Sequence, residues 1–154
     1  MSVLVADVVT RRSDAAEFWL FLHVLGGMVA VGALALCVVS LIAAWRTGSP
    51  ALTRLGWRAL IYAAVPGYIL LRVSAQLVLD KEGLNDADLA WIDIGFMVTD
   101  AGVLLLIVAG LLLGVVVRRG ESGPTIRARV ATGLVSVLLV AYLVAIWAMT
   151  TKPT

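Results

Sequence analysis

FWLFLHVLGGMVAVGALALCVVSLIAAW, residues 18–45, holds one histidine and no charged side chain. It is longer than the ~20 residues that an α-helix needs to cross ~30 Å of hydrocarbon. Three further apolar runs follow, Ala59 to Leu79, Ile94 to Val117 and Val130 to Met149. With 62% hydrophobic and 14% charged residues and a mean hydropathy of +1.03, a water-soluble domain of 154 residues would have too little polar side chain to cover its surface. The expectation is an all-α polytopic membrane protein, with residues 1–154 forming one four-helix transmembrane bundle and nothing left for a soluble domain.

The connections supply the orientation. Arg46 to Arg58 and Arg118 to Arg129 read as short polar turns rich in Gly, Ser and Pro, and they hold seven arginines against the single acid Glu121. The middle connection, Asp80 to Trp91, holds Asp80, Glu82, Asp86 and Asp88 against Lys81, with room for a short interfacial helix near Asn85. Arginine-rich loops stay cytoplasmic, so both termini are expected outside a bacterial plasma membrane, although Arg11 and Arg12 then lie on the outer side. Trp19, Trp91 and Trp147 would line the outer interface, and Trp45 and Trp57 the inner one. Thr10-Arg11-Arg12 does not read as a twin-arginine or secretory signal. Asp14 and Glu17 interrupt the approach, and the apolar run exceeds the ~7 to 15 residues of a signal core. The net charge of +2 is explained by topology and gives no reason to invoke nucleic acid. The expected surroundings are the lipid bilayer and, in addition, further copies or other subunits of a membrane complex.

Three ionisable residues, His23, Arg72 and Asp100, interrupt three different spans. Counted at ~1.5 Å per residue from the outer ends, they lie roughly 8, 10 and 10 to 12 Å deep, on one level although the helices run in opposite directions. Ionisable side chains within spans usually face the bundle interior and pair with one another. The expectation is therefore an inward-facing cluster in which Arg72 and Asp100 form a charge-assisted pair and His23 completes the network. Two readings of the cluster stay open, a structural lock on helix pairing or a site that binds or relays a small polar ligand or a proton; in a third the long stem of Arg72 carries its guanidinium outward to the headgroups, which would dissolve the pair. Gln76, Thr99, Ser74 and Tyr142 fall in the same neighbourhood, and Asp93 lies seven residues before Asp100 on the same helical face, nearer water.

Pro66 and Gly67 sit mid-span in AAVPGYILLR, where proline removes an intrahelical hydrogen bond and bends the helix. Gly26, Ala30 and Ala33 give the first span a narrow face of small residues, and Gly110 and Gly114 form GxxxG, which permits close helix approach. We expect both to serve packing within the bundle.

A single histidine excludes a haem held by two histidines of one chain. His23 with Met97 or Met149 remains as an axial haem pair or a soft copper(I) set, the alternative to a protein with no cofactor. The lone Cys37 excludes an intrachain disulfide and reads as a small buried hydrophobe. No GxSxG and no phosphate loop occurs, and the serines within spans have no base beside them, so hydrolase, kinase and nucleotide-binding readings find no support and a non-enzymatic protein is expected.

The opening FWLFLHVLGGMVAVGALAL, the PG-containing second span and the closing AYLVAIWAMTTKP resemble a family of bacterial four-helix integral membrane proteins known only as a domain of unknown function. LHVLGG also looks like the first helix of CopD-type copper-resistance proteins. The first resemblance implies the four-span fold and carries over no catalytic residue; the second implies metal handling through His23. Ten arginines against two lysines, with abundant alanine, valine and glycine, suggest a GC-rich bacterial genome.

Overall fold

The computed structural model describes residues 14–82, 90–121 and 123–150. Lipid offers backbone groups no hydrogen-bond partner, so apolar runs of this length pair their own N–H and C=O groups as helix even across Gly26, Gly27 and Gly32. Helix α1 spans Asp14–Thr47. It stops where Gly48 takes the left-handed conformation (φ 67°) and donates its N–H to the Ala44 carbonyl at 2.8 Å. Pro50, at the first position of the next helix, has no N–H to leave unpaired there and is preset for helical φ.

The second span, Pro50–Lys81, begins nine residues earlier than its apolar run. The connection expected from Arg46 to Arg58 contracts to Gly48 and Ser49, because Pro50 starts a helix whose exposed face carries Arg54 and Arg58. This span comprises α2 (Pro50–Ala59), a π turn (Leu60–Ala64) and α3 (Val65–Glu82). Pro66 cannot donate to the Tyr62 carbonyl, and the helix widens in the turn before it, where the Val65 N–H reaches Leu60 O. The irregularity expected at Pro66 and Gly67 thus lies one turn earlier.

Helix α4 spans Ala90–Arg118 and closes in a Schellman arrangement: Gly120 at φ 66°, its N–H on Val117 O at 3.2 Å, and the Glu121 N–H on Val116 O at 3.1 Å. Helix α5, Ile126–Thr150, is capped by Thr125, whose hydroxyl oxygen accepts the Ala128 N–H at 3.3 Å. All four spans are long and apolar enough to cross a membrane, and among the described residues there is no strand.

Inward-facing residues recur every three or four positions. On the second span they are Thr53, Gly56, Leu60, Ala64, Gly67, Leu71 and Ser74; on α4, Gly95, Thr99, Gly102, Leu106, Ala109, Leu113 and Val116. This repeat belongs to nearly antiparallel helices packed with a shallow crossing. Helix α1 lies along the second span and also touches α5, while α4 lies along α5. The second span meets α4 mainly through α2 and only sparsely through α3, so the bundle is tight at its arginine-bearing end and looser at the end marked by Asp80 and Lys81.

The α1–α3 seam is the closest approach. A Cβ added to Gly26 would stand 2.6 Å from Leu71 N, and one added to Gly67 would stand 2.8 Å from Ala30 N. Backbone meets backbone there, which only glycine permits. Gly110 and Gly114 face Ile61 and Trp57 of the second span, so GxxxG also serves contacts within the bundle.

Candidate functional site

The Arg72 Nε donates to Asp100 Oδ1 at 3.2 Å, tying α3 to α4 across their sparse seam. The guanidinium carbon lies 4.4 Å from the ring centre of Phe96, one helical turn before Asp100. This pair is on the outside of the bundle: the side chains are 30% exposed for Arg72 and 62% for Asp100. The inward-facing triad anticipated from the ionisable residues does not assemble. Leu71 and Thr99 occupy the inward positions, and the next residue on each helix is turned by about 100° away from the core.

His23 does face inward. Its Nδ1 is 3.1 Å from the Leu71 carbonyl oxygen. A carbonyl can only accept, so Nδ1 carries the hydrogen and Nε2 is left as an acceptor in the neutral ring. The contact falls one turn from Gly26, whose close packing on α3 brings the imidazole within reach of that carbonyl.

Between the four spans, at the Asp80/Lys81 end, lies a half-open cavity of about 740 Å³. Its walls include His23 and Gly27 of α1, Leu71 of α3, Phe96 and Thr99 of α4, and Tyr142 of α5. Most of the lining is aliphatic, and two nearby hydroxyls are already engaged with their own helices. Ser74 Oγ donates to the carbonyls of Leu70 and Leu71, and Thr99 Oγ1 to Gly95 O at 2.9 Å and Phe96 O at 3.0 Å. Tyr142 differs. It is only 3% exposed, and its buried hydroxyl has no hydrogen-bond partner among the described residues. An unpaired buried hydroxyl costs about 1–3 kcal/mol, so a residue of the cavity wall that bears one stands out.

The remaining candidates are dispersed. Gln76 is exposed and donates to Asp80 Oδ1 at 3.3 Å. Met97, two residues before inward-facing Thr99 and so about 200° around the helix, is 68% exposed and off the cavity wall, and does not share a site with His23. The side chains of Asp93 and Met149 lie outside the described residues, as do Arg11, Arg12 and the stretch from Gly83 to Leu89. Among the described residues no group of three or more His, Cys, Asp or Glu comes together. Phe96 joins this site unanticipated; its spacing of four residues before Asp100 is the sequence signal that places it on the same helical face. Comparison of the chain with protein-family models, with curated proteins and with solved structures found no match.

Proposed function

We propose that this is a non-enzymatic membrane protein whose cavity holds an amphiphile: a single apolar chain ending in a hydroxyl or carboxylic acid group. Tyr142, a residue of this mostly apolar wall whose buried hydroxyl has no hydrogen-bond partner among the described residues, carries this reading. A small shift of the Tyr142 side chain would bring its donor to the cavity, and His23 Nε2 is left as an acceptor on the same wall, so a head group that both accepts and donates suits the two. A volume of about 740 Å³ falls within the ~300–1,000 Å³ typical of small-molecule sites, which are mostly apolar with a few convergent polar groups. A small polar ligand or a relayed proton, the expectation raised by three ionisable residues, fits less well because Arg72 and Asp100 lie off this wall. In this reading the arginine-bearing end faces the cytoplasm of a bacterial cell, both termini face outward, and the cavity lies in the outer half of the plasma membrane.

The test compares 1-hexadecanol with hexadecane, which has the same chain and no head group. Purified, delipidated protein is titrated with each and the bound fraction read by native mass spectrometry. We expect the alcohol to bind about tenfold more tightly, the worth of one well-formed hydrogen bond. Equal binding, or no binding of either, would remove the basis for the proposal.

A further inference from the structure

The exposed Arg72–Asp100 pair poses a problem that the cavity does not solve. Arg72 lies eight residues, about 12 Å, along the helix from Asp80, well inside the hydrocarbon of a span in which Asp80 and Lys81 mark the water interface. Acyl chains cannot solvate a carboxylate with 62% of its surface open, nor a guanidinium that spends only its Nε–H on that carboxylate. The other N–H groups of Arg72, and Asp100 Oδ2, make no hydrogen bond among the described residues. A polar partner on this face would relieve both groups.

We infer that the α3–α4 face is the contact surface between two copies of this chain, with each Arg72 bridging its own Asp100 and that of the second copy. Three observations favour a second copy over a different partner. The face carries both signs at one level, since a 3.2 Å bond joins them, and a two-fold axis along the membrane normal preserves depth. Each guanidinium then meets the opposite carboxylate, and no charge lacks a counterpart. The groups left unspent are also complementary to one another, donors on Arg72 and an acceptor on Asp100. Finally, the surround is what a helix contact in lipid uses: Ile69 and Val73 on α3 and Met97 and Leu104 on α4 are all exposed. The inference is independent of any ligand in the cavity.

Cross-linking in bilayers tests it on the full chain. In a Cys37→Ala background, Met97→Cys places a thiol one turn from Asp100, and Val137→Cys places one on the exposed surface of α5. A short thiol-specific linker should join Met97→Cys copies into dimers and leave Val137→Cys copies monomeric. Adding Asp100→Arg or Arg72→Asp to the Met97→Cys chain should weaken dimerisation about tenfold for either variant alone, by like-charge repulsion. Co-expression of the two should restore the cross-link, because opposite charges then face one another across the interface. Equal cross-linking at Met97→Cys and Val137→Cys overturns the inference. So does a dimer yield untouched by either charge reversal.

Discussion

Removing one oxygen atom, in Tyr142→Phe, should move stability and ligand binding in opposite directions. The tyrosine is 3% exposed and its hydroxyl makes no hydrogen bond among the described residues, so the ligand-free protein bears the desolvation cost of that group without return. That cost is about 1–3 kcal/mol. Phenylalanine keeps the ring where it packs near Leu138 and Gly102, and the change removes a single heavy atom. The ligand-free variant should therefore be about 1–2 kcal/mol more stable than the parent, measured by denaturant titration in mixed micelles. The same change deletes the donor offered to a bound head group, so 1-hexadecanol should bind about tenfold more weakly while hexadecane binding is unchanged. A purely structural tyrosine, bonded through water, predicts the reverse: lower stability and an intact preference for the alcohol. That result would refute both the assignment of an orphan hydroxyl and the site built on it.

Gly26→Ala and Gly67→Ala should each destabilise by about 1–3 kcal/mol, because the new methyl group would meet backbone at 2.6 Å and 2.8 Å; Gly32→Ala, with no atom within 4 Å, should cost no more than a few tenths in the same unfolding assay. Gly32→Leu adds bulk on the cavity wall in open space, so it should abolish 1-hexadecanol binding in native mass spectrometry while the unfolding midpoint holds. His23→Ala should cost about 1 kcal/mol by unfolding through loss of the Leu71 contact, and His23→Asn, able to donate from a similar position, should recover part of it.

The spans were legible because lipid leaves the chain no alternative: a long, predominantly apolar run must satisfy its backbone as helix. Their ends were less so. The 46–58 connection contains Thr47, Gly48, Ser49 and Pro50, which mark a turn, but Pro50 also opens a helix, and the arginines beyond it extend that helix into the interface. The inner face could have been read as well. Gly95, Thr99, Gly102, Leu106 and Ala109 alternate spacings of four and three, and Ala64, Gly67, Leu71 and Ser74 do the same. His23, three residues before Gly26, lies on the corresponding stripe of α1, whereas Arg72 and Asp100 each fall one residue off theirs. Depth alone, without helical phase, grouped all three. The cavity could not be read this way, since it depends on how far α3 stands from α4.

That separation and the outward ion pair are linked. Gly26 and Gly67 draw α3 onto α1 with backbones in contact, which leaves α3 only sparse contact with α4 beyond the π turn. Arg72 follows inward Leu71 and Asp100 follows inward Thr99. On neighbouring antiparallel helices the same one-residue step rotates in opposite senses when both are viewed from one end, so the two side chains swing toward the same groove. Their 3.2 Å contact is thus the geometric consequence of equal depth and equal phase error on opposed helices. It closes the outside of the gap, with Phe96 stacked beneath the guanidinium and also lining the cavity. The bundle therefore presents two separate polar features: His23 and Tyr142 on the wall of a mostly apolar chamber, and an outward pair, Arg72 and Asp100, facing whatever lies beside the protein. A charge reversal at Arg72 or Asp100 should for that reason alter self-association while the alcohol-over-alkane preference of the chamber persists.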